Sequence, residues 1–252
     1  MKRLDRSQGY ETDLLLNQYL LFHYGSDSDL LPFSFGPKES LHFPVRCVTE
    51  CLDVGSLPKQ AKALELGCAV GRSSFELSRF CNQVVAIDNS QTFIKAAKQI
   101  QQNGHLNFMI HGEGDQRNTR TARLPEKIDP ARVIFKCEDA MDFFNKPAAY
   151  DVVLAANLIC RLQDPQEFLA NLHQLMSPGG QLIITSPYSW LEEFTSSDFW
   201  IHGNCLEAMK GILKDHFSLQ RSFDLPFLMR EHLRKYQWGV AQATIWHCNK
   251  RI

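Results

Sequence analysis

The sequence has no Cys-x-x-Cys pair, no long apolar run and almost no net charge, and each shortage narrows what the chain can be. With 27 basic against 28 acidic residues, there is no electrostatic reason to expect nucleic acid or an anionic membrane as the main partner. The eight cysteines, at 47, 51, 68, 81, 137, 160, 205 and 248, are scattered and fall mostly inside apolar runs. They read as reduced core thiols rather than a disulfide frame or a zinc site. No apolar run follows the positive charges of MKRLDRSQGYETD, so this segment is not a secretory signal, and no later run is long enough to span a bilayer. Internal repeats and low-complexity tracts are missing too. The expectation is a cytoplasmic protein with no metal, whose 252 residues suffice for a sizeable core.

What the chain does have is ALELGCAVGRSS at residues 63–74. A short apolar run carries one acid, Glu65, and meets three small residues, Gly67, Ala69 and Gly71, before the helix-like RSSFELSRF. This is a strand–turn–helix junction whose small residues let a ligand lie against main-chain amides at the helix start. From residue 62 onward strand-like and helix-like runs alternate. Strands are expected at 62–67, 83–88, 132–137, 150–156 and 181–186, with helices at 72–81, 90–103, near 140–144 and at 164–176. Five such strands predict a doubly wound α/β fold with a mostly parallel sheet. A helix at 204–216 and two alternating runs, 217–224 and 240–247, close one edge and bring the sheet to seven strands. Residues 104–130 and 226–238 fit no repeat and read as insertions. The first 44 residues, with an amphipathic helix at 10–25 begun by Thr12 and a Ser/Asp/Pro/Gly loop behind it, read as a helical lid over a main domain of 45–252.

In open parallel sheets the ligand lies beyond the carboxyl ends of the strands, where strand order reverses. The candidates there are Glu65, Gly67, Cys68, Ala69, Gly71, Arg72 and Ser73 after the first strand, Asp88 and Asn89 after the second, Asp139 and Ala140 after the third, and Asn157 after the fourth. Asp88 is placed to accept from ribose hydroxyls, and the acids at 138–139 to accept from an adenine amino group. A dinucleotide fingerprint needs a third glycine where Arg72 stands, and arginine fits poorly there. A sulfonium nucleoside needs no pyrophosphate cradle; its ammonium group needs an acceptor, supplied by Glu65 or the surrounding carbonyls. The reading is therefore S-adenosylmethionine, with S-adenosylhomocysteine as product.

ELGCAVG, Asp88, the EDA triplet at 138–140 and PGGQLIIT before the fifth strand resemble a class I S-adenosylmethionine-dependent methyltransferase over about residues 45–250. A narrower resemblance lies in YETDLLLNQYLLFHYG, FPVRC, LELGCAVGRSSFELSRF, LAANLICRLQDP, ITSPYSWLEEFT and LPFLMREHLRKYQW. These stretches are similar to the carboxy-terminal methyltransferase domain of ovothiol synthase, the mercaptohistidine N-methyltransferase family. The resemblance implies methyl transfer to an imidazole nitrogen of 5-thiohistidine, giving ovothiol A. It also implies a partner, an iron-dependent sulfoxide synthase domain or protein. No spaced histidine triad for such an iron site occurs among the nine histidines.

An amino-acid acceptor calls for a cation at its carboxylate and an acceptor near its ammonium. Arg46 or Arg230 could serve the first need, and Glu192 or Glu231 the second. Tyr10, Tyr19, His23, Tyr24, Tyr188, Trp190 and His232 complete the substrate candidates, and Asn157, Tyr188 and Glu192 are expected nearest the reacting atoms. The alternatives are a methyltransferase for another small imidazole or amine, and a non-catalytic S-adenosylmethionine-binding partner of the synthase.

Overall fold

The computed structural model describes residues 11–145 and 149–249. The first helix is α1, Asp13–Tyr24, capped by Thr12 accepting from the Leu15 amide and ended at Gly25. A single turn α2 (Asp27–Leu30) and a short α3 (Phe43–Thr49) with proline in its first turn follow. Next come β1 (Lys62–Leu66), α4 (Arg72–Leu77), β2 (Gln83–Asp88) and α5 (Gln91–Asn103), the last capped by Ser90 and stopped by Gly104 in the left-handed conformation. An antiparallel hairpin, β3 (His105–His111) and β4 (Arg117–Arg123), precedes β5 (Val133–Cys137) and β6 (Tyr150–Ala156). The chain then runs through α6 (Pro165–Asn171), β7 (Met176–Ser186) and α7 (Cys205–Leu213) into the long strands β8 (Phe217–His232) and β9 (Lys235–Cys248).

Seven strands form one sheet in the order β5-β2-β1-β6-β7-β9-β8. The first five are parallel; β9 runs antiparallel to β7, and β8 antiparallel to β9. The period of two seen in the sequence sorts side chains to the two faces. Ala63, Val84, Ala86, Val152, Leu154 and Ile183 join the core under α1, α3 and α5. Leu64, Val85, Ile87, Val153, Leu182 and Ile184 join the core under α6 and α7. Both faces are covered, so these strands read as near-continuous apolar runs. From β1 the chain steps outward to β2 and β5 in one direction and, after its crossover, to β6 and β7 in the other. The switch point therefore lies between β1 and β6, and it positions the site.

Two segments differ from the sequence expectation. Residues 104–130 contain the β3–β4 hairpin, whose Phe108, Ile110 and Ala122 are buried against the core. Its polar, arginine-rich face is the solvent face of a half-buried ribbon. Residues 226–238 are not a separate insertion: β8 continues through Pro226 to His232, turns, and returns as β9 from Lys235, in register Pro226↔Val240 to His232↔Lys235. The charges at 230–235 therefore belong to the tip of a long hairpin, where register rather than helical periodicity decides which side chains share a face. The helix expected at 164–176 gives way at Leu172 to a 3-10 turn, and Met176 already belongs to β7.

Candidate active site

Left-handed backbone collects at the carboxyl ends of β1, β6 and β7. Gly67 (φ 75°), Ala69 (φ 46°) and Gly71 (φ 84°) turn the chain out of β1; Asn157 (φ 52°) and Tyr188 (φ 51°) do so after β6 and β7. Three non-glycine residues held in this region at adjacent strand ends mark a place where the surrounding structure over-determines the backbone. A cleft of about 580 Å³ opens there.

The turn after β1 is held by its own donors. The amides of Gly67 and Cys68 both donate to the Ile87 carbonyl at 2.9 Å, Gly71 donates to Cys68 O at 2.9 Å, and the Ala69 amide donates to Asp88 Oδ2 at 2.9 Å. Asp88 Oδ1 accepts from the Ser90 amide at 2.9 Å. Each carboxylate oxygen keeps one lone pair, so Asp88 can still receive ribose hydroxyls from the cleft it lines. Burial pushes its pKa up to about 6, against the pull of the Ser90 and Ala69 amides. Glu65 is 1% exposed and accepts the hydroxyls of Ser73 and Ser74, which lock β1 to the start of α4. Burial raises its pKa to about 7, opposed by those two hydroxyls and reinforced by the charge of Asp88. Each of its oxygens likewise keeps one lone pair, so Glu65, which lines the cleft, and the carbonyls of the turn can both meet an ammonium group. Asp139 lines the far end with Ala140, its Oδ1 accepting from the Met141 amide at 2.8 Å. Asn157 stands at the centre, its amide donating to Thr185 O at 2.8 Å and its Oδ1 accepting from the Thr185 hydroxyl at 3.0 Å.

Of the cofactor candidates, Glu65, Gly67, Ala69, Ser73, Asp88, Asn89, Asp139, Ala140 and Asn157 line the cleft. Cys68, Gly71 and Arg72 do not: Cys68 is buried, Gly71 sits against Phe135, and Arg72 pairs with Glu76 at 2.5 Å. They shape the turn from behind.

The acceptor side is placed differently from the sequence expectation. Helix α1 covers the cleft with Tyr19 and His23, while Tyr24 turns away and donates from its hydroxyl to Val70 O at 2.8 Å, tying α1 to the turn. Tyr10 lies outside the described residues. Arg46 is a strap, donating to Glu50, to Glu39 O and, at 2.9 Å, to Pro226 O. Arg230 is 5% exposed and donates to Asp29 O at 2.6 Å and His111 O at 3.4 Å. Glu231 pairs with Lys235 and accepts from Gln237, and His232 Nδ1 accepts from the Arg234 amide, all at the hairpin tip. The Tyr188 hydroxyl donates to Gln242 Oε1 at 2.8 Å, away from the cleft, and burial raises its pKa. Trp190 packs beside it in the core under α6 and α7, and Glu192 is exposed.

Residues that the sequence reading passed over stand in their places. Arg161 lines the cleft four residues beyond Asn157, brought round by the 3-10 turn Ile159–Arg161. Its Nη1 donates to Cys160 O and Ser189 O, each at 2.9 Å, and its guanidinium lies 5.1 Å over the Phe194 ring. Glu193 faces the cleft where its neighbour Glu192 does not, because the backbone turns at Leu191, whose carbonyl accepts from the amides of Phe194 and Thr195. Phe43 of α3 and Phe227, Met229 and Gln237 of the β8–β9 hairpin close the roof. The loop rule already in hand, extended through one more turn after β6, would have found Arg161. Nothing local to residues 226–238 announces which of them face inward.

Residues 64–184 match the methyltransferase domain family. The ubiquinone biosynthesis O-methyltransferase of Rhodopseudomonas palustris (strain TIE-1) is 29% identical over 125 residues, covering 50% of this chain and 39% of that protein. The protein of the same description from Bradyrhizobium sp. (strain ORS 278) is 26% identical over the same shares. The chain thus spans about two-fifths of the length of these relatives. Among solved structures, the N-methyltransferase NodS from Bradyrhizobium japonicum WM9 in complex with S-adenosylhomocysteine superposes with a TM-score of 0.53 at 14% identity, covering 94% of this chain and 99% of that one. The [4+2]-cyclase SpnF superposes with a TM-score of 0.56 at 17% identity, over 87% of this chain and 74% of that one. At these identities the structures establish the fold. Among the described residues no group of His, Cys, Asp and Glu could hold a metal ion, and no helix is long and apolar enough to cross a membrane.

Proposed function

We propose that this chain, an S-adenosylmethionine-dependent methyltransferase whose family domain spans residues 64–184, transfers the methyl group to an imidazole nitrogen of 5-thiohistidine, giving ovothiol A. One observation carries the reading. The stretches similar to the mercaptohistidine N-methyltransferase family lie far apart in sequence, and each sends side chains into one cleft: Tyr19 and His23, Phe43, Ser73, Arg161, Glu193, and Phe227 with Gln237. A resemblance confined to packing would not converge on one concave surface.

Bound S-adenosylmethionine supplies a sulfonium methyl open to in-line attack by a nitrogen lone pair. The chain's task is alignment, holding the acceptor nitrogen near roughly 3–3.5 Å from the methyl position. Arg161 offers a planar cation for the amino-acid carboxylate, and Glu193 an acceptor for its ammonium, in place of the arginines and acids expected from sequence. Phe43 and Phe227, 5.3 Å apart between ring centroids, form an apolar wall for the flat imidazole. Asn157, next to the switch point, sits where a carboxamide can hold a ring N–H and so fix the tautomer that attacks. The thiol of the substrate is the rival nucleophile, so regioselectivity rests on position. The substrate implies an iron-dependent sulfoxide synthase, as a separate chain or domain, to supply it.

Incubation with S-adenosylmethionine and 5-thiohistidine tests the reading, with product analysis by mass spectrometry and carbon–proton correlation NMR. The expected product carries methyl on nitrogen. Methylation on sulfur only, or no turnover with several thiohistidines while histamine or another small amine is methylated, refutes it.

A further inference from the structure

Several donors around the turn after β1 are already committed. The amides of Gly67, Cys68, Ala69 and Gly71 hold the turn, the hydroxyls of Ser73 and Ser74 donate to Glu65, and Arg72 pairs with Glu76. A cofactor whose amino-acid end lies against this turn brings an ammonium group, for which carbonyls are available, and a carboxylate, which needs donors other than these. One cleft-lining side chain beside the turn is uncommitted. His23 is 8% exposed, its Nδ1 is wholly buried, and neither ring nitrogen has a hydrogen-bond partner among the described residues. The next residue, Tyr24, is bonded to Val70 of the turn at 2.8 Å, which pins the ring of its neighbour in place. Tyr19, Phe22 and Tyr24 surround that ring at 6.0, 5.6 and 6.4 Å between centroids. Leaving a buried polar nitrogen unpaired is costly, so a ring fixed in this way is poised for a ligand.

We infer that His23 of α1 binds the carboxylate of the amino-acid end of S-adenosylmethionine, donating from a ring nitrogen. Burial and the nearby charge of Arg72 hold the imidazole pKa down to about 3 in the free protein, so the ring enters the contact neutral, as one donor and one acceptor. The helix that covers the cleft then reads whether the cofactor is in place, and with it whether the roof over the acceptor is anchored. The inference concerns the cofactor alone and holds whatever the acceptor proves to be.

The test compares two ligands that share the adenosyl thioether: S-adenosylhomocysteine, and 5′-methylthioadenosine, which lacks the amino-acid end. By isothermal titration calorimetry, His23→Phe is expected to weaken S-adenosylhomocysteine roughly 10- to 100-fold, the range of one hydrogen bond to a charged group, and to change methylthioadenosine by less than about twofold. His23→Gln, which keeps an N–H, recovers most of the loss. In the unmodified protein, ring nitrogen resonances of His23 labelled with nitrogen-15 should shift on adding S-adenosylhomocysteine and stay in place with methylthioadenosine. Equal weakening of both ligands would make His23 a packing residue and overturn the inference. So would unchanged S-adenosylhomocysteine affinity, or a resonance that responds only to the acceptor. The resonance arm decides the question even where the Phe variant fails to fold.

Discussion

Gly71→Ala probes the turn that everything else is built around. Gly71 holds φ at 84°, where a Cβ costs about 1–2 kcal/mol through its clash with the carbonyl. That Cβ would also lie 2.6 Å from Phe135 Cζ, 2.7 Å from Cε1 and 3.2 Å from Ala97 Cβ. Phe135 has little room to yield: it is 4% exposed and meets Phe75 edge-on, with centroids 5.5 Å apart. Overpacking of this kind costs about 1–3 kcal/mol. The total is about 2–5 kcal/mol, a large share of the roughly 5–15 kcal/mol that holds a domain folded. Urea unfolding should show a lower midpoint at unchanged slope, and calorimetry should show weaker S-adenosylhomocysteine binding because the turn is displaced toward the cleft.

The two parts of that sum are separable. In Gly71→Ala/Phe135→Leu the smaller ring partner relieves the overlap and leaves the backbone strain, so the pair should be less destabilised than the sum of the singles by about 1–3 kcal/mol. A Gly71→Ala variant within about 0.5 kcal/mol of wild type refutes the steric argument. Strict additivity of the two changes refutes the assignment of the clash to Phe135.

Further tests address the groups on either side of that turn. Asp88→Asn should raise the dissociation constant of S-adenosylmethionine about tenfold or more while leaving kcat at saturation close to wild type, because a ribose contact is made in ground and transition states alike; initial rates against cofactor concentration check it. Glu65 has its pKa raised by burial from 4.5 to about 7, so the folded state binds this proton more tightly than the unfolded state does. Free-enzyme stability should therefore fall as pH rises across that window, and Glu65→Gln should flatten its share of the slope in denaturant titrations run at several pH values. Tyr188→Phe should cost about 1 kcal/mol or less of stability and leave kcat and KM unchanged, since the hydroxyl bonds Gln242 outside the cleft. A tenfold loss of kcat would return Tyr188 to the reacting centre.

The alternating pattern from residue 62 onward made the sheet legible because the central strands β1, β2, β6 and β7 are buried on both faces and three of the helices begin at a recognisable cap: Ser90, Asp164 and Asn204 all accept from the third residue of the helix they start. The cleft residues at the strand ends were legible for a related reason. Asp88, Asp139 and Asn157 lie within two residues of a strand end, so finding the strand finds the residue. Arg230 and Arg46 show where this stops. Both carry the charge an amino-acid carboxylate needs, yet their guanidinium groups satisfy backbone carbonyls of Asp29, His111 and Pro226, far away in sequence, and of Glu39. Residue type states what a side chain can bond, while only the fold states what it already bonds.

The same distinction explains why the covering helix matters chemically. Bonds at three separate positions hold α1 and the residue before its cap: Glu11 accepts from the Gln91 amide at 3.0 Å and from the amide and hydroxyl of Thr92, Asn17 accepts from the Met109 amide at 3.0 Å, and Tyr24 donates to Val70 O. They end on the start of α5 behind Asp88, on the β3–β4 hairpin, and on the turn after β1. A helix bonded at both ends and its middle cannot lift without breaking contacts to the elements that hold the cofactor. Displacing α1 should therefore disturb the turn after β1 as well as open the cleft. Tyr24→Phe, which removes one of the three, should weaken S-adenosylhomocysteine by about fivefold, the effect of one neutral hydrogen bond of about 1 kcal/mol. Calorimetry on that variant checks it, and an unchanged affinity would show that α1 and the turn act independently.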